Sequence, residues 1–144
     1  MPEEPDQPEE TLAEAFRGVA RQLRHQTQQT LAPWDVTPSQ ARALDVLTRH
    51  GSMRLGALSE HLRIAPRSAT EVVDALEEAG LVERHPDPCD RRATLVALTS
   101  RGGQVAAGIR AARAAEAEGF FARLDGADRA SLTRILRTLR TLRN

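Results

Sequence analysis

The chain has 144 residues, of which 40% are hydrophobic, and this is enough for one domain with a single core if the apolar residues follow a helical pattern. The 20 basic and 20 acidic residues cancel, so composition alone does not point to nucleic acid. A single cysteine, Cys89, excludes an internal disulfide framework, and no apolar run approaches the ~20 residues that cross a bilayer, so we expect a cytoplasmic protein without a membrane partner.

The N-terminal residues are acidic and proline-bearing, with no signal-peptide core, and we expect residues 1–10 to be a disordered tail. This tail removes acidic charge from the remainder of the chain, which is left with an excess of arginine. Thr11 and Glu14 form a capping-box pattern, which predicts a helix from there to about Leu31, before Pro33. Its apolar stripe, which must pack on another surface, consists of Leu12, Phe16, Val19 and Leu23.

Three shorter helices are predicted next. Thr37 caps a helix that ends at Gly51, and residues 55–62 form the second. Pro66 begins the third, which Gly80 ends. The third helix has one apolar side and an opposite side of polar residues, so we expect it to lie across the core with its polar side in solvent.

A β-hairpin is predicted at residues 81–85 and 93–98, where β-branched or alternating residues occur, and Met53-Arg54 forms a very short additional strand. The segment Pro86 to Arg92 is too long and too polar for a tight turn, so we expect it to project as a wing. Helix, turn, helix and hairpin, in this order, are the layout of a winged helix-turn-helix, which places one helix in the DNA major groove.

Two further helices complete the chain. Thr99 caps a long alanine-rich helix that reaches about Leu124, and Asp125 begins the last helix. The last helix carries a strong apolar stripe formed by Leu132, Ile135, Leu136, Leu139 and Leu142. We therefore expect a fold that is mainly α with a small β wing, in which the N- and C-terminal helices make a dimer.

A specific motif spans the end of the hairpin: an acidic residue, an arginine and a small residue, then a Leu-Thr pair and a glycine. Its members are Asp90, Arg92, Ala93, Leu98, Thr99 and Gly102. At this spacing the motif resembles the signature of the MarR-type transcriptional regulators. Residues 31–40, 57–62 and 76–84 are also similar to that family, and the resemblance covers about residues 11–143.

The resemblance implies a single domain at residues 11–144, with a winged-helix DNA-binding region at 36–99. The helices at residues 11–32 and 100–143 would interlock two copies of the chain into a homodimer. The implied function is a sequence-specific transcriptional regulator, most simply a repressor, on a pseudo-palindromic operator. Its partners would be double-stranded DNA and a second copy of itself. A small-molecule effector is a further candidate partner, because many relatives are released from DNA by a ligand.

The first turns of the helix that begins at Pro66 are the candidate reading surface, because a recognition helix reads bases with its N-terminal residues. Arg67 can bind guanine O6 and N7, and Glu71 can accept from cytosine N4. The alternative is an ordinary solvated helix face. The candidates are Pro66, Arg67, Ser68, Thr70 and Glu71.

Arg91 and Arg92 are the candidate wing contacts. We expect one of them in the minor groove or on phosphate, Arg92 by family resemblance, and the other held by Asp90. The alternative is a surface ion pair of 0–1 kcal/mol, roughly the general median. Arg54 and Arg84 flank the hairpin and could meet phosphate, although a structural role is nearly as favoured.

Other chemistry-bearing residues are weaker candidates. Cys89 at the wing tip would need a lowered thiol pKa to sense oxidants, and oxidation-sensing relatives usually carry their cysteine in the first helix, where this chain has none. Trp34 and His25 are candidates to line an effector pocket, but Trp34 could equally anchor the loop after the first helix. The histidines have no partner at a metal-ligand spacing, so we expect no metal and no other cofactor.

Two other function classes remain open. A winged helix can also serve as a protein-interaction module without direct DNA binding, and zero net charge suits that role. An enzyme is disfavoured, because the sequence contains no nucleophile-base pair and no Gly-rich phosphate loop.

Overall fold

The computed structural model describes residues 8–142 as six α-helices, one short 3₁₀ helix (Ala32–Trp34) and one three-stranded antiparallel sheet. Residues 1–7 of the predicted tail, and residues 143 and 144, lie outside this range. The helices are α1 (Leu12–Leu31), α2 (Pro38–His50), α3 (Leu55–Leu62), α4 (Pro66–Glu78), α5 (Ser100–Phe121) and α6 (Gly126–Thr141). The strands are β1 (Met53–Arg54), β2 (Val82–Asp87) and β3 (Asp90–Leu98), in the spatial order β1-β3-β2. The predicted fold class is confirmed.

Helix starts lie where the capping patterns predict them. The Thr11 hydroxyl accepts the N–H of Glu14 at 3.2 Å, and the Glu14 carboxylate accepts the N–H of Thr11 at 2.8 Å. Thr37 and Gln40 form the same reciprocal pair at the start of α2. The start of α4 differs. Its N-cap residue is Ala65, whose side chain has no acceptor and so forms no capping bond with the first N–H groups of the helix.

The predicted wing loop from Pro86 to Arg92 is wrong. Strands β2 and β3 extend through most of it, and only Pro88 and Cys89 connect them. The Asp87 side chain accepts the N–H of Cys89 at 2.9 Å, which closes the chain in a two-residue turn. The polar residues of this segment therefore do not indicate a loop. A hairpin with solvent near both faces can form without the alternation of apolar and polar residues that a half-buried strand shows.

The core lies between α2, α3, α4 and the sheet, and α1 and α5 close it. One side of α4 is buried, as the sequence predicts, and its buried residues are Ala69, Val73 and Leu76. The largest fully buried side chains are Leu31, Leu44, Leu58, Leu76, Val73, Val82 and Val96. Because these residues come from helices and strands alike, the hairpin and α4 are fixed to one common core.

Two close backbone approaches join α5 to the other elements. The Thr99 hydroxyl donates to the Gly80 carbonyl at 2.6 Å, and a β-carbon at Gly102 would clash with the carbonyl of Leu81. Farther along α5, the Trp34 ring lies against Gly108, where a β-carbon would be 3.0 Å from the ring. These glycines therefore allow contacts that offset their low helix propensity.

The outer surfaces of α1 and α6 are apolar. Leu12 is 88% exposed and Leu142 is 74% exposed, and no residue of α6 is buried in the single chain. The other exposed large apolar side chains are Phe16, Val19, Ile135, Leu136 and Leu139. Leu23 and Leu132 are half-buried. Among residues 8–142, no helix is both long and apolar enough to cross a membrane.

Candidate nucleic-acid interface

The N-terminal turns of α4 form the most exposed polar part of the winged helix. The Arg67 side chain is 93% exposed, and its Nε lies 4.0 Å from Glu71 Oε1, which is a loose i,i+4 pair. Pro66 and Ser68 are also exposed. The Thr70 hydroxyl donates to the Pro66 carbonyl at 3.0 Å, so its proton is already committed. With that bond in place it can accept from a base amino group but cannot donate to a phosphate.

The direction of α4 is set by the turn that precedes it. Arg63 has φ 54° and ψ 45°, a left-handed conformation that reverses the chain after α3. Arg42 Nη2 donates to the Leu62 carbonyl at 2.8 Å and so satisfies an acceptor at the end of α3. Neither residue is predicted from the sequence, since neither is glycine or asparagine and neither lies in a recognisable motif.

Arg84 is held by two carboxylates of α4. Its Nη2 is 2.6 Å from Asp74 Oδ1, its Nη1 is 3.0 Å from Glu77 Oε1, and its side chain is only 30% exposed. The hydrogen bond to Asp74 is the main cause that raises the pKa of Arg84 above its ordinary value. Asp74 and Glu77 thus pair with an arginine of the neighbouring strand β2. These ion pairs support a structural role for Arg84, the alternative to a phosphate contact.

Arg54 is held in the same way at the wing. Its Nε and Nη2 donate to Asp87 Oδ2 at 3.0 and 2.8 Å, and its Nη2 lies 3.8 Å from Asp90 Oδ2. The prediction that Asp90 holds the side chain of Arg91 or Arg92 is wrong. Asp90 instead accepts the backbone N–H of Arg92 at 3.0 Å, because the tight turn brings that N–H back onto it.

Asp87 is the residue at the centre of this arrangement, and it is not among the site residues predicted from the sequence. Its side chain is 11% exposed. The N–H of Cys89 and the guanidinium of Arg54 both donate to it and lower the pKa of its carboxyl group, in that order of importance. The segment Asp87-Pro88 carried a signal, because an aspartate that bonds to the backbone two residues later is typical of a turn.

The comparisons with known proteins fit this arrangement. Residues 36–94 match the MarR family. An uncharacterized HTH-type transcriptional regulator of Mycobacterium leprae is 37% identical over 113 residues, which are 78% of this chain and 74% of the relative. The chain belongs to the MarR family.

Two further similarities place this MarR-family chain among regulators. A MarR family protein from Bacillus stearothermophilus has the same fold, with a TM-score of 0.81 and 25% identity, over 90% of this chain and 91% of that chain. The HTH-type transcriptional repressor MdtR of Bacillus subtilis is 26% identical over 88 residues, which are 61% of this chain and 57% of the relative. The expectation of a transcriptional regulator rather than an enzyme is confirmed.

The structure also places the candidate effector-pocket residues and tests for a metal site in this MarR-family chain. Trp34 lines a cleft of about 320 Å³ between α1 and α5, together with Gln26 and Glu116, while His25 is exposed and outside that lining. The contact of Trp34 with Gly108 supports its alternative role as an anchor. Within the described part of the chain, no group of three or more ligating side chains could hold a metal ion.

Proposed function

We propose that this MarR-family regulator binds double-stranded DNA as a homodimer, with α4 reading base edges and the wing contacting the backbone or minor groove. The observation that carries the proposal is the two-sidedness of α4. One side is locked into the core, while its N-terminal turns present Arg67, Ser68 and Glu71 to solvent. A helix held this way can enter a major groove without disturbing the fold, and its side chains offer both donors and acceptors.

Arg91 and Arg92 support the part assigned to the wing. Both are exposed, and none of the ion pairs among residues 8–142 includes either side chain. Their guanidinium groups therefore keep their donors for phosphate or for the minor groove. Arg84, by contrast, forms ion pairs with Asp74 and Glu77, and these pairs join β2 to α4.

The apolar surfaces of α1 and α6 support the homodimer. Six large hydrophobic side chains on these two helices, and Leu142 directly after α6, are exposed in the single chain. Burying such surface stabilises an assembly by about 25 cal/mol per Å² of apolar area. A second copy that covers both helices would leave each α4 free, and two-fold symmetry would place the pair about 10–10.5 bp apart on a pseudo-palindrome.

Salt dependence separates DNA binding from the alternative of a protein-interaction module. Duplexes captured by the protein from a fragment library of its own genome would be titrated between 50 and 200 mM salt. Six or more phosphate contacts predict an affinity loss of about 10³-fold or more over that range. If no duplex is retained above the level of random competitor at low salt, the DNA-binding proposal fails.

Repression and response to an effector are the finer parts of the proposal. A reporter placed behind a captured fragment should lose transcription when the protein is added, and a gain would show an activator. For an effector, the cleft beside Trp34 is where we propose to search. A compound that binds there and favours another separation of the two α4 helices would lower DNA affinity by population shift. A Trp34 fluorescence change that accompanies loss of DNA would report it.

A further inference from the structure

The wing has an irregular register that determines where its arginines lie. Pro86 faces Thr94 across the hairpin, but the next residue, Asp87, faces Asp90. Residues 91–93 on β3 therefore have no facing residue on β2. A bulge of this kind bends a strand and redirects its side chains, so the position of Arg91 and Arg92 depends on what holds the tip in place.

What holds the tip is a chain of hydrogen bonds that starts outside the hairpin. Arg54 lies on β1, beside β3, and reaches Asp87, which is 33 residues away in sequence. The second oxygen of Asp87 accepts the N–H of Cys89, and Asp90 accepts the N–H of Arg92. The two aspartates therefore link the Arg54 guanidinium to the backbone of the turn and of the bulge.

We propose that Arg54 is a positioning residue of the wing, which acts through Asp87 to fix the direction of Arg91 and Arg92 and makes no phosphate contact of its own. This inference rests on the proposed DNA-binding function and replaces the sequence prediction of Arg54 as a phosphate contact.

The local charge favours positioning over phosphate contact. Arg54 carries one positive charge, and Asp87 and Asp90 lie within 2.8 and 3.8 Å of its Nη2 with one negative charge each. The three groups together are net negative, so they do not attract a phosphate as a free arginine does. The adjacent positive charge of the wing comes from Arg91 and Arg92.

The test is a mutant cycle measured on a captured duplex, with the full-length dimer. Arg54→Gln and Asp87→Asn should each weaken binding by about tenfold, a magnitude within the range that coupled neighbours show. The double variant should be no weaker than either single variant. In a protein that already carries Arg91→Ala and Arg92→Ala, Arg54→Gln should have no further effect on affinity.

A direct phosphate contact gives a different pattern. Loss of one phosphate contact lowers the slope of log affinity against log salt by about 0.9. A contact made by Arg54 itself would show this loss even in the protein that carries Arg91→Ala and Arg92→Ala, whereas positioning through those two arginines predicts an unchanged slope for Arg54→Gln in that protein. A slope lowered by Arg54→Gln in the protein that lacks both wing arginines, or wild-type affinity in Asp87→Asn, would overturn the proposal. Because the Asp87→Asn arm leaves Arg54 in place, it remains decisive if Arg54→Gln does not fold.

Arg49→Gln is the matched control for the loss of one positive charge. Arg49 is an exposed arginine of α2 in an ion pair with Asp45, at 3.0 Å, and it lies outside the wing. It should retain wild-type affinity, and a tenfold loss there would attribute the Arg54 result to net charge and overturn the positioning role. If the wild-type protein retains no duplex at all, the proposed function has failed and not this refinement of it.

Discussion

Gly102, in the first turn of α5, lies directly against the backbone of Leu81, where a β-carbon would stand 1.8 Å from the carbonyl oxygen. The obstructing atom belongs to the backbone, so it cannot move aside as a side chain could. Gly102→Ala should therefore lower the free energy of unfolding by about 3 kcal/mol, the upper part of the overpacking range. Gly103→Ala is the control, because nothing lies within 4 Å of its β-carbon position, and it should gain up to about 1 kcal/mol. Urea unfolding of both variants gives the comparison.

A missing cap can be added to α4. Ala65 has the extended backbone of an N-cap, with φ −62° and ψ 147°, but its side chain offers no acceptor. Ala65→Ser should raise the free energy of unfolding by about 1 kcal/mol. The same change at the other end of the helix, Ala79→Ser, should have no such effect. Equal shifts at both positions in urea unfolding would show that capping is not the cause.

Arg67 should supply selectivity rather than bulk affinity. A bidentate contact with guanine contributes about 1–3 kcal/mol of discrimination. Arg67→Ala should therefore narrow the affinity ratio between a captured operator and a scrambled duplex by roughly tenfold to a hundredfold, without change in the dimer. Arg49→Ala is its matched control, because Arg49 also sits in an exposed i,i+4 ion pair. Unchanged selectivity in fluorescence anisotropy titrations would remove Arg67 as a base reader.

The apolar stripe of α6 should be essential for assembly. Leu136 and Leu139 are 38% and 58% exposed in the single chain, so replacing both with Glu removes apolar contact and puts charge into the predicted interface. We expect monomeric or unfolded protein by light scattering and circular dichroism. Thr141→Glu, an exposed position with no stripe residue three or four positions away, should remain dimeric. A well-folded dimer of the double leucine variant would place the interface elsewhere.

Acid should weaken the hold of Arg54 on the wing. The pKa of the Asp87 carboxyl group is lowered in the folded protein, so its stabilising contribution is complete above the unfolded pKa of about 3.9 and is lost as the pH falls through the folded value. The difference in unfolding free energy between wild type and Asp87→Asn should accordingly be constant from pH 5 to 7, roughly the range above that titration, and should shrink on further acidification. A difference that does not change with pH would contradict the ion pair.

Local chemistry predicted the helices well. Thr11, Thr37, Thr99 and Asp125 each cap the helix that the sequence assigns to them, because a cap is decided by residues three positions apart. The path of the wing was missed for the opposite reason. It depends on Arg54 and Asp87, which are 33 residues apart in sequence and are brought together by the sheet.

The candidate site was predicted with similar unevenness. The apolar periodicity of α4 predicts which side of the helix is buried, and it therefore also predicts which side is exposed. Whether Arg54 and Arg84 are free or paired does not follow from periodicity, because their carboxylate partners lie on other elements of the fold. The dimer contacts of α1 and α6 involve a second chain and stay a prediction.

The pairing of Arg54 and Arg84 with carboxylates has a consequence for how the regulator would find its target in a chromosome. Random DNA is bound almost entirely through positive charge that is not already paired with carboxylates. Here two arginines at the hairpin, Arg54 and Arg84, are already paired with Asp87 and Asp74. These two arginines would then add little to the binding of unrelated sequences, which is left to exposed arginines such as Arg91 and Arg92.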